Sequence, residues 1–266
     1  MPSVVITGSS KGVGFGLAKA FAAKGWDVVI SGSSDSTTAA AVDRLAGTQP
    51  RGRVIGRACQ VTDPSSMQAL WDQASAELGR VDIWVNNAGL AKTTQDFVDL
   101  PAEQIEQMVI TNMVGTMNGV QVALKGMREQ GGGRIFNILG GGSDGSIREH
   151  MSVYSSTKFG LKYFTDSVVK ETKGGPVLIG EVRPGILITE GWLREAKELP
   201  GGIPEKQKRA LNALADRVDD VAPWLVDQMI GTSKHGAEIA WLNGAKIAGR
   251  FATSWRGRDV LSGFDV

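Results

Sequence analysis

Tyr154 and Lys158 stand four residues apart in "VYSSTK", residues 153–158. On a helix that spacing stacks two side chains on one face, about 5–6 Å apart at Cβ. A phenol is a weak acid of pKa about 10, and an ammonium that close favours its ionised form. The pair therefore predicts proton transfer to or from an oxygen, with the acidity of Tyr154 drawn down toward working pH. Just ahead, "GGGSDG" (140–145) holds one hydroxyl, Ser143. It fits either a donor to a developing oxyanion or a turn residue completed by Asp144 and Gly145. A lone Tyr-x-x-x-Lys also occurs on ordinary exposed helices, so the pair acquires meaning only beside a binding site.

Such a site is written at the start of the chain. In "VVITGSSKGVGFGLAKAF" (4–21), Gly8, Gly12 and Gly14 lie between a β-branched run and a helical pattern, with Ser10, Lys11 and Val13 among them. Glycines let the backbone turn tightly against a pyrophosphate, and the helix N-terminus supplies free N–H groups and partial positive charge. A dinucleotide is the ligand that this context predicts. A site for NAD usually carries an acid at the end of the second strand, to hold the ribose 2′-hydroxyl. Here that end reads Ser31, Gly32, Ser33, Ser34, with no carboxylate before Asp35. With Lys11 able to meet a 2′-phosphate, NADP(H) is expected in preference to NAD(H).

The elements that must position these groups alternate regularly. Strands are expected at 3–7, 27–32, 53–61, 81–89, 133–139, 176–185 and 236–244, separated by helical patterns that include long ones at 101–130 and 152–173. Runs that are apolar on both faces, separated by helices, mean a parallel sheet covered on both sides. The fold class is therefore α/β: a single-domain, Rossmann-type doubly wound parallel sheet over 1–266. The rhythm breaks at about 190–217, where a helical excursion hinged at "PGGIP" (200–204) follows the sixth strand. It lies on the carboxyl side of the sheet, the place for a substrate lid. Trp192, Leu193 and Leu199 either line an apolar pocket there or pack the lid itself.

Composition excludes several function classes. The formal net charge is +1, with 29 Lys and Arg against 28 Asp and Glu, so no nucleic-acid or anionic-membrane partner is indicated. Cys59 is the sole cysteine and is joined by only two histidines, which excludes an internal disulfide and a Cys/His metal site. No apolar run is long enough to span a bilayer. A cytoplasmic protein acting on a small molecule is the expectation.

Taken together, "TGSSKGVG" (7–14), "NNAG" (86–89), Asn112, "YSSTK" (154–158) and "RPGILIT" (183–189) resemble, in order and spacing, the short-chain dehydrogenases/reductases. The resemblance covers nearly the whole chain and implies an oxidoreductase acting on CH–OH or C=O. It implies that Tyr154 is the general acid/base and that Lys158 holds the nicotinamide ribose and acidifies the tyrosine. Asn112 matches an asparagine that binds a water beside that lysine. Asn87, Ala88 and Gly89 match the segment that supports the central sheet and approaches the cofactor. Pro184 and Gly185 lead to Thr189, which matches the contact to the carboxamide. Gln60 stands where an acid usually meets the adenine, with Val61 after it, so an amide carbonyl takes that role. The family's serine normally lies thirteen residues before the tyrosine. That position is Gly141, which makes Ser143 the displaced candidate. "FNILGGGSDG" (136–145), "LADRVDDVAPWLV" (214–226) and "IAWLNGAKIAGRF" (239–251) are similar to the chlorophyll b reductase branch, which reduces a formyl group on a large tetrapyrrole. Alternatives are a generic ketone or 3-oxoacyl reductase and a non-catalytic NADP-binding sensor. The family typically forms homodimers or homotetramers through its two long helices.

Overall fold

A computed structural model describes residues 1–197, 199, 201–253 and 257–264. Seven parallel strands form one sheet in the order β3-β2-β1-β4-β5-β6-β9. They are β1 (Ser3–Ile6), β2 (Asp27–Ile30), β3 (Val54–Gly56), β4 (Ile83–Asn86), β5 (Gly133–Ile138), β6 (Val177–Arg183) and β9 (Ala237–Ala240). The flanking helices are α1 (Gly12–Ala23), α2 (Asp35–Ala46), α3 (Pro64–Leu78), α4 (Ala102–Val109), α5 (Gly115–Glu129), α6 (Ser152–Glu171) and α9 (Val218–Gly231).

Strand alternation splits the core into two layers. Val4 and Ile6 of β1 face one way and pack with Leu17 and Phe21 of α1 and Leu225 of α9. Val5 faces the other way, among Met67 and Trp71 of α3 and Ala123 of α5. The close approach of α1 to α9 needs Gly16, where a Cβ would overlap Val218. Beyond β3 the chain returns through α3 to β4, on the opposite side of β1. The connections diverge between β1 and β4, so their carboxyl ends open the crevice in which such sheets bind ligands.

Several expectations are corrected, and β4 and β9 are shorter than the expected 81–89 and 236–244. The third strand pairs only over Val54–Gly56 rather than 53–61. The fourth helical segment is one run interrupted by a π-helical turn, Ile110–Val114, which contains Asn112. The predicted strand 176–185 ends at Arg183, because Pro184 lacks a donor and Gly185 turns the chain with φ 83. A short strand β7 (Ile186–Ile188) follows and pairs in parallel with β8 (Ala215–Arg217). This small sheet frames the excursion of α7 (Glu190–Lys197) and α8 (Glu205–Leu214). Gly201 and Gly202 turn between the helices with φ 80 and 74, while Pro200 of the expected hinge lies outside the described residues. Trp192, Leu193 and Leu199, all half-buried, pack with Ile188, Ile203 and Leu211 within the excursion. Asp216 ties it to the C-terminal segment, accepting from Trp241 Nε1 at 2.6 Å and pairing with Arg250 and Arg258. The final helix, α10 (Gly244–Ala252), starts at Asn243, whose Oδ1 accepts from Lys246 N.

Candidate active site

The crevice is built by glycines that let main chains touch. Gly8 and Gly12 have φ of 62 and 57, the left-handed region in which a Cβ is strained. A Cβ on Gly8 would lie 2.6 Å from Ala88 Cα, and one on Gly14 would overlap the Asn87 amide. Asn87 Nδ2 donates to Thr7 O at 2.9 Å and Gly8 O at 3.0 Å. In return Thr7 Oγ1 accepts from Asn87 N and Ala88 N. The ends of β1 and β4 are thus locked together, which fixes the turn that opens α1.

The N-terminus of α1 already shows its taste for anions. Gly12 N–H donates to Glu190 Oε2 at 3.0 Å, so a carboxylate from the first residue of α7 stands in for a phosphate. Thr189, just before it, lies 3.8 Å from where a Gly12 Cβ would be, and its Oγ1 accepts from Trp192 N. The cradle and its stand-in anion fit a dinucleotide pyrophosphate. Around the expected ribose, Lys11 is exposed, as is Ser33, and Ser34 caps α2. Gln60 Nε2 donates to Ser33 O at 2.8 Å, which leaves Oε1 as the acceptor end, while Val61 is buried against Gly115. A second cation, missed from the sequence, is Arg44 of α2. Its guanidinium stacks 3.5 Å over the Phe15 ring and donates to Ser10 O.

On the far side of the crevice, α6 carries the phenol and the ammonium. Lys158 is buried and its Nζ donates to Ile138 O at 3.0 Å, at the end of β5. It lies 5.7 Å from the Tyr154 ring centroid. Asn112 is fully buried; its Oδ1 accepts from Leu90 N at 2.7 Å, and its Nδ2 donates to Leu90 O and Thr157 Oγ1. A Cβ on Gly89 would lie 3.1 Å from Asn112 Oδ1 and 3.7 Å from Lys158 Nζ. The side chain of Asn112 is therefore committed to holding the loop after β4, and the widened π turn is where this happens.

The glycine triplet has a steric purpose at two of its three positions. A Cβ on Gly140 would overlap Tyr154 Oη, and one on Gly142, at φ 87, would overlap Ser155. Gly141 is roomier, with Met151 Cε at 3.0 Å and Arg148 Nη1 at 3.5 Å from its Cβ position. Ser143 is buried and its Oγ is without a hydrogen-bond partner among the described residues. A buried hydroxyl left unpaired is costly, which makes it a group with bonding capacity to spare.

The electrostatics depart from what spacing predicts. Burial pushes the Tyr154 phenol up to about 12, with Arg148 opposing the rise and Glu195 adding to it. Burial also pulls the Lys158 ammonium down to about 8. Loss of water penalises both charged forms, and at Tyr154 it outweighs the opposing pull of Arg148. Arg148 and Glu195 escaped sequence reading. Glu195, on α7, reaches the site because it accepts from Thr93 N and Oγ1, both at 3.1 Å.

The short chain dehydrogenase family model matches residues 2–198. The chain belongs to that family. Within it the chain is 33% identical to a probable chlorophyll(ide) b reductase NYC1, chloroplastic, of Oryza sativa subsp. japonica, over 96% of this chain and 53% of the relative. It is 32% identical to the chlorophyll(ide) b reductase NOL, chloroplastic, of the same plant, over 93% and 73%. A 3alpha-hydroxysteroid dehydrogenase of Mediterraneibacter gnavus is also 32% identical, over 70% and 74%. The chain spans about half the length of NYC1. Among solved structures, levodione reductase superposes with a TM-score of 0.81 at 23% identity, covering 93% of this chain and 98% of that one, a likeness of fold. The relatives carry the names of oxidoreductases: two chlorophyll(ide) b reductases and a hydroxysteroid dehydrogenase.

Proposed function

We propose that this short-chain dehydrogenase reduces a carbonyl, an aldehyde or formyl group on a bulky apolar molecule such as a formyl tetrapyrrole, using NADPH. The observation that carries the reading is the phenol of Tyr154 seated against Gly140, beside a buried Lys158, at the carboxyl end of the sheet. When bound, NADPH supplies the hydride. Gly8, Ser10, Gly12, Val13 and Gly14 hold the pyrophosphate by main-chain groups, with Glu190 giving up its place. Gln60 and Val61 flank the adenine, and Asn87, Ala88 and Gly89 back the nicotinamide side. Pro184, Gly185 and Thr189 close the carboxamide end. Lys158 binds the nicotinamide ribose, while Asn112 fixes the loop beneath. Tyr154 gives its proton to the carbonyl oxygen. Consumption of NADPH with an aldehyde and ketone panel that includes chlorophyllide b tests the reading. Turnover restricted to small 3-oxo compounds would favour a generic ketone or 3-oxoacyl reductase, and binding without turnover would leave only a sensor.

Preference for NADP(H) rests on Lys11, Arg44 and the hydroxyl-rich end of β2, where an acid would repel a 2′-phosphate. A charge-assisted hydrogen bond contributes about 1.5–3 kcal/mol. Lys11→Ala and Arg44→Ala should each lower kcat/KM with NADPH by about tenfold or more and leave NADH within about twofold. Equal losses with both cofactors would remove these residues from 2′-phosphate recognition.

Acidity favours the reductive direction. With its phenol near 12, Tyr154 is protonated and ready to donate at neutral pH. Lys158 carries its charge below about 8 and loses it above. Reductive kcat/KM should therefore be level through neutrality and fall above about pH 8, whereas alcohol oxidation, which needs the phenolate, should rise with pH. A reductive profile level to pH 10 would contradict the role given to Lys158.

Ser143 contributes a second donor to the reacting oxygen. Ser143→Ala should lower kcat about 100-fold, the lower end for loss of such a donor. An unchanged kcat would leave it a turn residue. For the whole reading we infer one domain, with the excursion at about 190–217 serving as the lid. Phe97, Val98, Val109, Val114, Phe159 and Tyr163 are exposed around α4, α5 and α6, which supports a homodimer or homotetramer through those helices. No helix among the described residues is long and apolar enough to cross a membrane. For the compartment we propose the cytoplasm, on the strength of a lone buried thiol, Cys59; the plant relatives are described as chloroplastic.

A further inference from the structure

We propose that Arg148 is a catalytic residue whose guanidinium, beside Gly141, donates a further hydrogen bond to the reacting carbonyl oxygen, alongside the one from Ser143. The inference rests on the carbonyl-reductase reading above and adds a group that no motif points to. Its first support is position. At Gly141, thirteen residues before Tyr154, an added Cβ would have Arg148 Nη1 at 3.5 Å and Cζ at 3.7 Å. The guanidinium therefore stands one van der Waals contact from where the missing side chain would branch. Because Gly141 is bare, that volume is left to the arginine.

The second support is that Arg148 is not bonded elsewhere, although its charge helps hold the Asp144 carboxyl below its usual value. It makes no ion pair or hydrogen bond among the described residues, although it lies in a braced loop. The nearby carboxylate, Asp144, is spent on Ser146 N and Oγ at 3.1 and 2.7 Å. Past Arg148, His150 has φ 59, and its Nδ1 lies 3.0 Å from Asp96 Oδ1, which pins the end of the loop to the segment before α4. An exposed cation beside Gly141, whose charge reaches the phenol, is free to meet a ligand oxygen. The third support is electrostatic. Arg148 acts on Tyr154 in the direction that favours negative charge, against burial and against Glu195 from α7. What favours phenolate at that spot also favours an alkoxide forming on the neighbouring oxygen. During reduction no bond forms or breaks at Arg148: hydride reaches the carbonyl carbon, the Tyr154 proton reaches the oxygen, and the guanidinium only bears on the charge between. An arginine keeps its charge at any working pH and offers five donors.

The test is kinetic, with a readout independent of turnover. Arg148→Gln should lower kcat for reduction of a neutral aldehyde about 100-fold, the usual effect of losing one oxyanion donor. The Kd for NADPH should be unchanged, and Arg148→Lys should recover part of the loss. A kcat within about threefold of the parent overturns the proposal. The chain has two tyrosines, so Tyr163→Phe, at an exposed site away from the crevice, leaves Tyr154 as the sole phenol. In that background, with NADP⁺ bound, tyrosinate absorbance reports Tyr154 alone, and Arg148→Gln should move its midpoint upward. Absence of turnover by the parent on every carbonyl would sink the reductase reading instead. The midpoint would then decide, and one that stays put overturns the placement of Arg148.

Discussion

Tyr154→Phe is expected to lower kcat for carbonyl reduction by about 10³-fold, within the range for loss of a positioned general acid, while NADPH binds as before. The substitution removes one oxygen and keeps the ring that fills the space between α6 and the end of β5. Lys158 retains its bond to Ile138 O, because that contact does not involve the phenol. Fluorescence titration with NADPH should therefore give the parent Kd, and thermal unfolding should show a folded protein. A phenylalanine variant with more than about a tenth of the parental kcat would mean that the proton comes from elsewhere.

Gly140→Ala is expected to cost about 100-fold or more, through the neighbouring phenol. Its backbone is not left-handed, so alanine strains no dihedral angle. The added Cβ would instead overlap Tyr154 Oη and lie 3.0 Å from Cζ. The phenol must shift, and misplacing a reacting group by about 1 Å can cost 10²-fold. Gly141→Ala is tight only against the flexible end of Met151, at 3.0 Å, with Arg148 Nη1 at an ordinary 3.5 Å, and should be accepted far better. In a double-mutant cycle, Gly140→Ala should cost little further activity once Tyr154→Phe has removed the oxygen it collides with. Equal kcat for the variants at 140 and 141 would deny the phenol its observed seat.

These effects divide what the chain tells in one dimension from what needs three. The sheet was legible because β-branched runs such as "SVVI" and "DVVI" are apolar on both faces and alternate with helical patterns. The anion cradle was legible because glycines lie between a strand and a helix, and the Tyr154–Lys158 face because helical spacing fixes it. The π turn was not legible: it depends on Asn112 reaching Leu90, a contact that local propensity does not encode. Nor was Gly140, whose necessity comes from a side chain on another element. Glu190 reaches Gly12 across 178 residues, beyond any local pattern. The direction of the Tyr154 shift was misjudged because spacing reveals a neighbouring charge but not the loss of water around it. Arg148 carried no signal beyond being a cation shortly before the tyrosine.

The most direct measurement is a crystal structure of the NADPH complex with a carbonyl-containing inhibitor. The account predicts that Glu190 has left Gly12 N–H to a phosphate, and that the inhibitor oxygen lies within about 3.2 Å of Tyr154 Oη, with the nicotinamide ring alongside. A Tyr154 side chain turned away from the crevice, or a nicotinamide ring bound on the other side of the sheet edge, would contradict it.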